Sequence, residues 1–157
     1  MAKSILRLKN YEVHAIGSAF AEKLNMNIAS WIMQTSMDGK TIVVALYKPD
    51  FTIELVKSSE RLCISLLAEN QSNLIGKLGR KSGREMDKMK NLDFGLSAGG
   101  CPFLTQAIGY LDCEVISWAD GGDHELAICK VSKTQILHAD NVPLRMNYLR
   151  EKGLVRG

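Results

Sequence analysis

Several signatures are missing from these 157 residues, and each absence removes a class of function. No GxGxxG occurs, so a Rossmann dinucleotide site is without support. There is no CxxC pair and no cluster of His, Cys and carboxylate at ligand spacing. The four cysteines stand at 63, 101, 113 and 129, three of them inside apolar runs where a reduced thiol behaves as a small hydrophobe. Neither a zinc site nor a disulfide framework is indicated. Charge of one sign is lacking as well. With 20 Lys plus Arg against 17 Asp plus Glu, global electrostatics argue against nucleic acid or a membrane surface as partner, which leaves a local basic patch to be judged separately. No segment approaches the ~20 apolar residues needed to cross a bilayer. The opening residues MAKSILRLKN hold too few consecutive apolar side chains for a signal peptide, so a cytoplasmic location is the expectation. Internal repeats and low-complexity segments are absent.

What is present reads as one domain over residues 1–157, long enough to bury a single core without a metal or disulfide. Strands are expected over residues 11–20, 27–36, 41–47 and 61–67. The β-branched run 41–47 (TIVVALY) reads as buried on both faces, and Asp38-Gly39 as the turn that makes it a hairpin with 27–36. Asp50 is placed to cap a short helix over Thr52 to Ser58, and a second short helix is expected over Gln71 to Leu78. From Gly79 to Asn91 the chain is polar and aperiodic. Residues 107–118 alternate, with Leu111, Cys113 and Val115 on one side and Asp112 and Glu114 on the other. They are joined through Ala119, Asp120, Gly121 and Gly122 to a returning strand, 124–139, whose first residue is His124. Short strands, Gly-rich turns and brief helices indicate a mainly β fold, a barrel with helical additions.

Three stretches carry chemistry, each with two readings by residue type. The basic loop GRKSGREMDK is either a solvated surface segment or an anion site, in which Ser82 and the backbone at Gly83 donate beside cationic side chains. Lys48-Pro49-Asp50-Phe51-Thr52 is an ordinary helix start, or one whose free N–H groups converge with Lys48 and the Thr52 hydroxyl on an anion. The strand 27–36 carries Ala29, Ser30, Gln34, Thr35 and Ser36 where a core strand would hold larger apolar residues. It is either an exposed face or a wall against which a planar ligand lies close to the backbone. His124, at a strand start, is a structural histidine or one delivered to a site.

The order of the motifs N-x-A-S-W-x-x-Q-x-S at 27–36, K-P-D-F-T at 48–52, S-G-R-E-x-D-K at 82–88, G-C-P-x-L at 100–104, A-x-x-Y-L-x-C at 107–113 and G-D-H at 122–124 resembles the flavin reductase-like family over roughly residues 10–150. These are FMN-binding proteins with a Greek-key split β-barrel that dimerises, and similar domains occur alone or fused to rubredoxin. The resemblance implies that Asn27, Ala29, Ser30, Trp31, Gln34, Thr35 and Ser36 line the isoalloxazine ring. It further implies that Lys48, Asp50, Phe51 and Thr52 hold the ribityl chain and phosphate together with Ser82, Arg84 and Lys88, and that His124 sits beside the open face of the flavin where nicotinamide stacks. Met37-Asp38-Gly39-Lys40 departs from the Pro-Pro many relatives carry there, and Met89 stands where Phe is common.

The implied function is an NAD(P)H-dependent oxidoreductase with FMN, or the larger FAD, as cofactor and NADH or NADPH as reductant. Hydride passes to flavin N5 and electrons go on to free flavin, ferric iron or a partner protein. The cofactor carries such chemistry, so the protein has only to align donor and acceptor within about 3.5 Å. No acid-base motif is needed. Two alternatives belong to other classes: a flavoredoxin-like electron carrier that keeps its FMN and does not use nicotinamide, and a non-redox barrel whose basic loop binds RNA or another anion.

Overall fold

The structure, a computed structural model, describes residues 4–155. Its frame is a seven-stranded antiparallel sheet in the order β2-β1-β5-β8-β9-β4-β3, comprising β1 (His14–Phe20), β2 (Lys23–Ala29), β3 (Ile32–Gln34), β4 (Thr41–Tyr47), β5 (Arg61–Leu66), β8 (Gly109–Gly121) and β9 (His124–Ile136). A two-stranded sheet, β6 (Phe94–Leu96) and β7 (Pro102–Leu104), packs beside β1. Three helices, α1 (Phe51–Ser59), α2 (Leu74–Gly79) and α3 (Met146–Glu151), complete it. The fold is mainly β with short helices, as expected.

The two edges of the large sheet are consecutive pieces of chain. β2 pairs with β1, the chain steps at Ser30 and Trp31, and β3 then pairs with β4, with the Ala45 N–H donating to the Trp31 carbonyl at 3.0 Å. This rolls the sheet into a barrel with its seam at that step. The expected single strand 27–36 is thus one extended run serving two edges, broken where its partner changes. β2 itself begins upstream of the expected start, because β1 turns through Ala21 and Glu22, both in the left-handed region (φ 49° and 66°). Neither is a residue that announces such a turn.

Inside the barrel, Ile16, Val44, Leu46, Leu62, Ile64, Ala127 and Cys129 form a core that Ile53 and Val56 of α1 close. Outside, Val13, Ala15, Met26 and Leu67 pack against α2 and α3 through Ile75, Leu78 and Leu149. Contrary to the expectation for 41–47, β4 alternates: Ile42, Val44 and Leu46 are buried while Tyr47 is exposed, because among the described residues no helix covers its outer face as α2 covers β2. β8 and β9 pair up to Gly121↔His124 through a turn with Gly122 at φ 87°, so Ala119 and Asp120 belong to the strand and not to the connection. His124 does begin β9, opposite Tyr47 of β4. Asp112, expected on the polar side of β8, is buried. A register shift follows it, and its carboxylate accepts from Ser97 Oγ (2.8 Å) and Gly99 N (2.9 Å) and faces the Arg61 guanidinium at 3.7 Å. The second helix is split into a 3-10 turn at Glu69–Gln71 and α2, since Gln71 folds back so that its Oε1 accepts from the Ala68 N–H. All four cysteines are free and buried.

On β1, the Nδ1 atom of His14 is buried without a hydrogen-bond partner. Burial pushes the imidazole pKa down to about 4, against smaller upward pulls from the Ala29 backbone and Glu12. The folded protein therefore refuses a proton that the unfolded chain accepts at about pH 6.5. Stability is unaffected by this group above that pH, falls as the pH drops from 6.5 towards 4, and has lost up to about 3 kcal/mol at the lower end. Urea denaturation at successive pH values is expected to show this slope in the parent and a flatter one in His14→Phe. Parallel slopes would refute the assignment.

Candidate functional site

The start of α1 and the basic loop, far apart in sequence, meet over β2. Asp50 occupies the N-cap position, but its side chain makes no cap bond. Its Oδ2 instead accepts from Asn27 Nδ2 at 3.0 Å, and Thr52 Oγ1 accepts from Asn25 Nδ2 at 3.0 Å. The amides two residues apart on one face of β2 thus tie the helix start to the sheet, leaving the first N–H groups of α1 open. Against them lies the loop, with Gly83 fitted so closely that a Cβ there would sit 2.2 Å from Asn25 Oδ1 and 2.9 Å from the Phe51 ring. Arg84 spans the junction, donating to the Pro49 carbonyl (3.0 Å), paired with Glu54 and lying 5.5 Å from the Phe51 centroid.

These groups enclose a polar cavity of about 160 Å³ that includes Asn25, Asn27, Asp50, Thr52, Ser82 and Lys88 in its wall. Lys88 is only 3% exposed and donates to the Leu78 carbonyl at 2.9 Å. Burial pushes its pKa down to about 8, opposed by Asp50. It still carries a proton at neutral pH, a buried cation at the edge of a cavity lined by helix N–H groups.

A second pocket of about 200 Å³ continues from this one, sharing Asn27, Ile28 and Asp50 and running past Ala29, Ser30 and Trp31 to Ala45, Tyr47 and His124. The imidazole stacks on Tyr47 (centroids 5.1 Å apart, 21° between planes) and tilts against Trp31 at 4.9 Å. Its Nδ1 lies 2.7 Å from Asp123 Oδ1, which fixes the ring's orientation. Trp31 is 52% exposed, so this end is open to solvent.

Of the residues singled out by sequence, Asn27, Ala29, Ser30, Trp31, Asp50, Phe51, Thr52, Ser82, Arg84, Lys88 and His124 therefore line one continuous groove. Four stand elsewhere. Gln34, Thr35 and Ser36 build the β3–β4 turn: Gln34 Nε2 donates to the Ser36 carbonyl, Thr35 N to the Thr41 carbonyl, and Ser36 Oγ to Asp38. Lys48 pairs with Asp120 at 2.7 Å, and its N–H donates to the Asp123 carbonyl, bracing the β8–β9 turn that carries His124. Asn25, Tyr47 and Ala45 complete the groove and were not singled out. Asn25 was legible as the partner of Asn27 at strand period, had the strand been extended upstream.

Two buried oxygens in the wall, Asn25 Oδ1 and Asn27 Oδ1, have no hydrogen-bond partner. Both accept only, so they call for a ligand bearing hydroxyl or N–H donors between its ends. The helix start, Ser82, Arg84 and Lys88 call for an acceptor-only anion. A phosphate, a hydroxylated chain and a planar ring in that order satisfy all three parts of the groove, and FMN has that order.

Residues 9–152 match the flavin reductase like domain. The chain is 32% identical over 139 residues to the high molecular weight rubredoxin of Moorella thermoacetica, a match covering 87% of this chain and 61% of that protein. It is 27% identical over 119 residues to the FMN reductase (NADH) RutF of Acinetobacter baylyi, covering 76% of this chain and 63% of the relative. It thus spans about three fifths of the length of these curated relatives. Among solved structures, it superposes on the FMN-binding protein from Thermus thermophilus with bound p-hydroxybenzaldehyde at a TM-score of 0.79 and 25% identity, covering 87% of this chain and 77% of that one. The rolled sheet is the split β-barrel of flavin reductases. From the residues before β1 to the end of α3, sequence match and barrel agree, and the chain belongs to the flavin reductase-like domain family.

Proposed function

We propose that the chain is an FMN-dependent NAD(P)H:flavin oxidoreductase, whose groove would hold FMN; the flavin would supply hydride acceptance from nicotinamide and onward electron delivery to free flavin, ferric iron or a protein acceptor. The observation that carries this reading is the groove itself: cationic and N–H-lined at α1, acceptor-lined at Asn25 and Asn27, and aromatic and open at Trp31, Tyr47 and His124. The name of the Acinetobacter relative favours NADH as the donor.

In this reading the chain positions and does not exchange protons. Lys88, Arg84, Ser82 and the α1 N–H groups would hold the phosphate, the two asparagines the ribityl hydroxyls, and the Ala29–Trp31 step would flank the ring. His124, wedged between Trp31 and Tyr47 and oriented by Asp123, forms a wall where a nicotinamide stacks. A cytoplasmic location is supported by four free thiols, and a homodimer by large exposed apolar side chains at Met33, Ile116 and Ile136.

The match to a rubredoxin-named protein favours a second reading, a flavoredoxin-like carrier that keeps FMN and takes electrons from a partner. NADH oxidation under air by the FMN-loaded protein separates the two, since only the reductase turns over. In that assay His124→Ala is expected to lower kcat/KM for the nucleotide about tenfold, the loss of roughly 1.4 kcal/mol of stacking and alignment, with FMN still bound. Unchanged constants for both NADH and NADPH would remove the role given to His124.

A further inference from the structure

At the opposite end of α2 from the phosphate cavity lies a cleft of about 400 Å³, between the 3-10 turn at Glu69–Gln71, the start of α2, residues 91–93 and the chain after β7. It shares no lining residue with the groove: Asn73 and Leu74 at the helix start line the cleft, while Leu78 and Gly79 at its end line the phosphate cavity. The volume lies within the ~300–1,000 Å³ typical of small-molecule sites. Five primary amides line the cleft, those of Asn70, Gln71, Asn73, Asn91 and Gln106, and the Asp93 carboxylate is the one charge among the described lining residues. Gln71 is only 6% exposed, and its Oε1 accepts from the Ala68 N–H at 3.0 Å, which fixes the amide and leaves Nε2 to donate. The other five side chains are exposed and, among the described residues, enter no hydrogen bond or ion pair. Their backbone is nevertheless held. The Asp93 carbonyl accepts from both the N–H and the Oγ1 of Thr105 at 3.1 Å, and the Leu92 N–H donates to the Met89 carbonyl at 3.2 Å. Leu74, Leu92 and Leu104 supply the apolar part of the lining and belong to the core cluster around Leu78.

This lining selects a class of ligand. No Lys or Arg lines the described wall, so a phosphate or carboxylate would lose its hydration there and meet Asp93 without a compensating cation. An apolar molecule would cover the amides and leave their donors and acceptors unpaired. A neutral molecule whose groups both donate and accept satisfies them, and a primary amide or carboxylate, with its two polar atoms side by side, meets a pair of vicinal hydroxyls at once. An extended peptide turns the N–H and C=O of every second residue away from such a wall. A pyranose carries hydroxyls around its rim and an apolar C–H face that covers the leucines. We propose that this cleft is a binding site for a neutral sugar of one or two rings, its hydroxyls held by the amides and Asp93 and its C–H face by Leu74, Leu92 and Leu104.

The test is saturation-transfer NMR of the full chain with glucose, galactose, mannose, maltose and lactose, with glucuronate and N-acetyl-triglycine amide as contrasts, repeated on Asn73→Ala and Gln106→Ala. Both side chains are exposed and make no bond within the fold, so both variants are expected to melt with the parent. At least one neutral sugar is expected to bind the parent at millimolar concentration or below, and glucuronate to give no transfer. Each variant is expected to lose about tenfold in affinity for that sugar, the loss of a pair of neutral hydrogen bonds. Silence from all five neutral sugars overturns the site. So does a sugar signal that both variants leave unchanged, because the sugar then sits elsewhere on the chain. Glucuronate binding as tightly as glucose contradicts selection by a wall without cations, and transfer to the triglycine amide with the sugars silent replaces the sugar with a peptide main chain.

Discussion

Replacing Arg84 with glutamine is expected to weaken FMN binding about 10- to 100-fold and to leave riboflavin binding within about threefold. The guanidinium lies where the α1 start, the Pro49 carbonyl and the basic loop meet, and it is held in place by that carbonyl, by Glu54 and by the Phe51 ring. A charge-assisted hydrogen bond to a phosphate contributes about 1.5–3 kcal/mol net, and each 1.4 kcal/mol is a factor of ten. Riboflavin shares the ring and the ribityl hydroxyls but has no phosphate, so it reports whether the loop has merely moved. Titrations of both ligands at one fixed ionic strength check this, because salt screens the charge contribution. Equal losses for both would make Arg84 a brace for the loop and not a phosphate ligand.

The largest effect on stability is expected at Gly17, in the middle of β1. A Cβ at this position would lie 1.8 Å from the Pro102 carbonyl oxygen and 2.9 Å from its carbon, both backbone atoms of β7. No rotamer change relieves that contact, so Gly17→Ala has to push the small sheet off the barrel. Overpacking of this kind costs about 3 kcal/mol or more, which lowers Tm by roughly 6–12 °C in a domain of this size. Gly76 is the internal control. It lies inside α2 with nothing within 4 Å of a built Cβ, and Gly76→Ala is expected to raise stability by up to about 1 kcal/mol. Thermal melts of the two variants check the pair, and a Gly17→Ala melt matching the parent would mean that β7 can shift freely.

Much of this site was legible because its parts are local. The helix start at Asp50 to Thr52 and the loop around Ser82 to Lys88 each offered an anion site as one of two readings by residue type, and the fold places them against each other. His124 at the head of β9 was legible from the alternation of the two strands and the glycines between them. What was hidden depends on partners distant in sequence. Asn25 was missed because β2 follows a left-handed turn made by Ala21 and Glu22, which carry no turn signal. Tyr47 joined the site only through its pairing with His124 across β4 and β9. Asp112 looked like the solvent side of a strand, but Arg61 of β5 and Ser97 and Gly99 of the β6–β7 loop converge on it from two other places in the chain. Gln34, Thr35 and Ser36 lie past the seam at Ser30 and Trp31. That break reflects a change of strand partner and leaves no mark in composition.

The most direct test is the absorption spectrum of the freshly purified chain, reconstituted with FMN and gel-filtered if colourless, followed by anaerobic addition of NADH and then NADPH. Flavin bands that bleach with either nucleotide are the expected result and identify the donor. Bands that persist until dithionite is added would contradict nicotinamide use and make the chain an electron carrier; no bands after FMN addition and gel filtration would contradict flavin binding in the groove between α1 and His124.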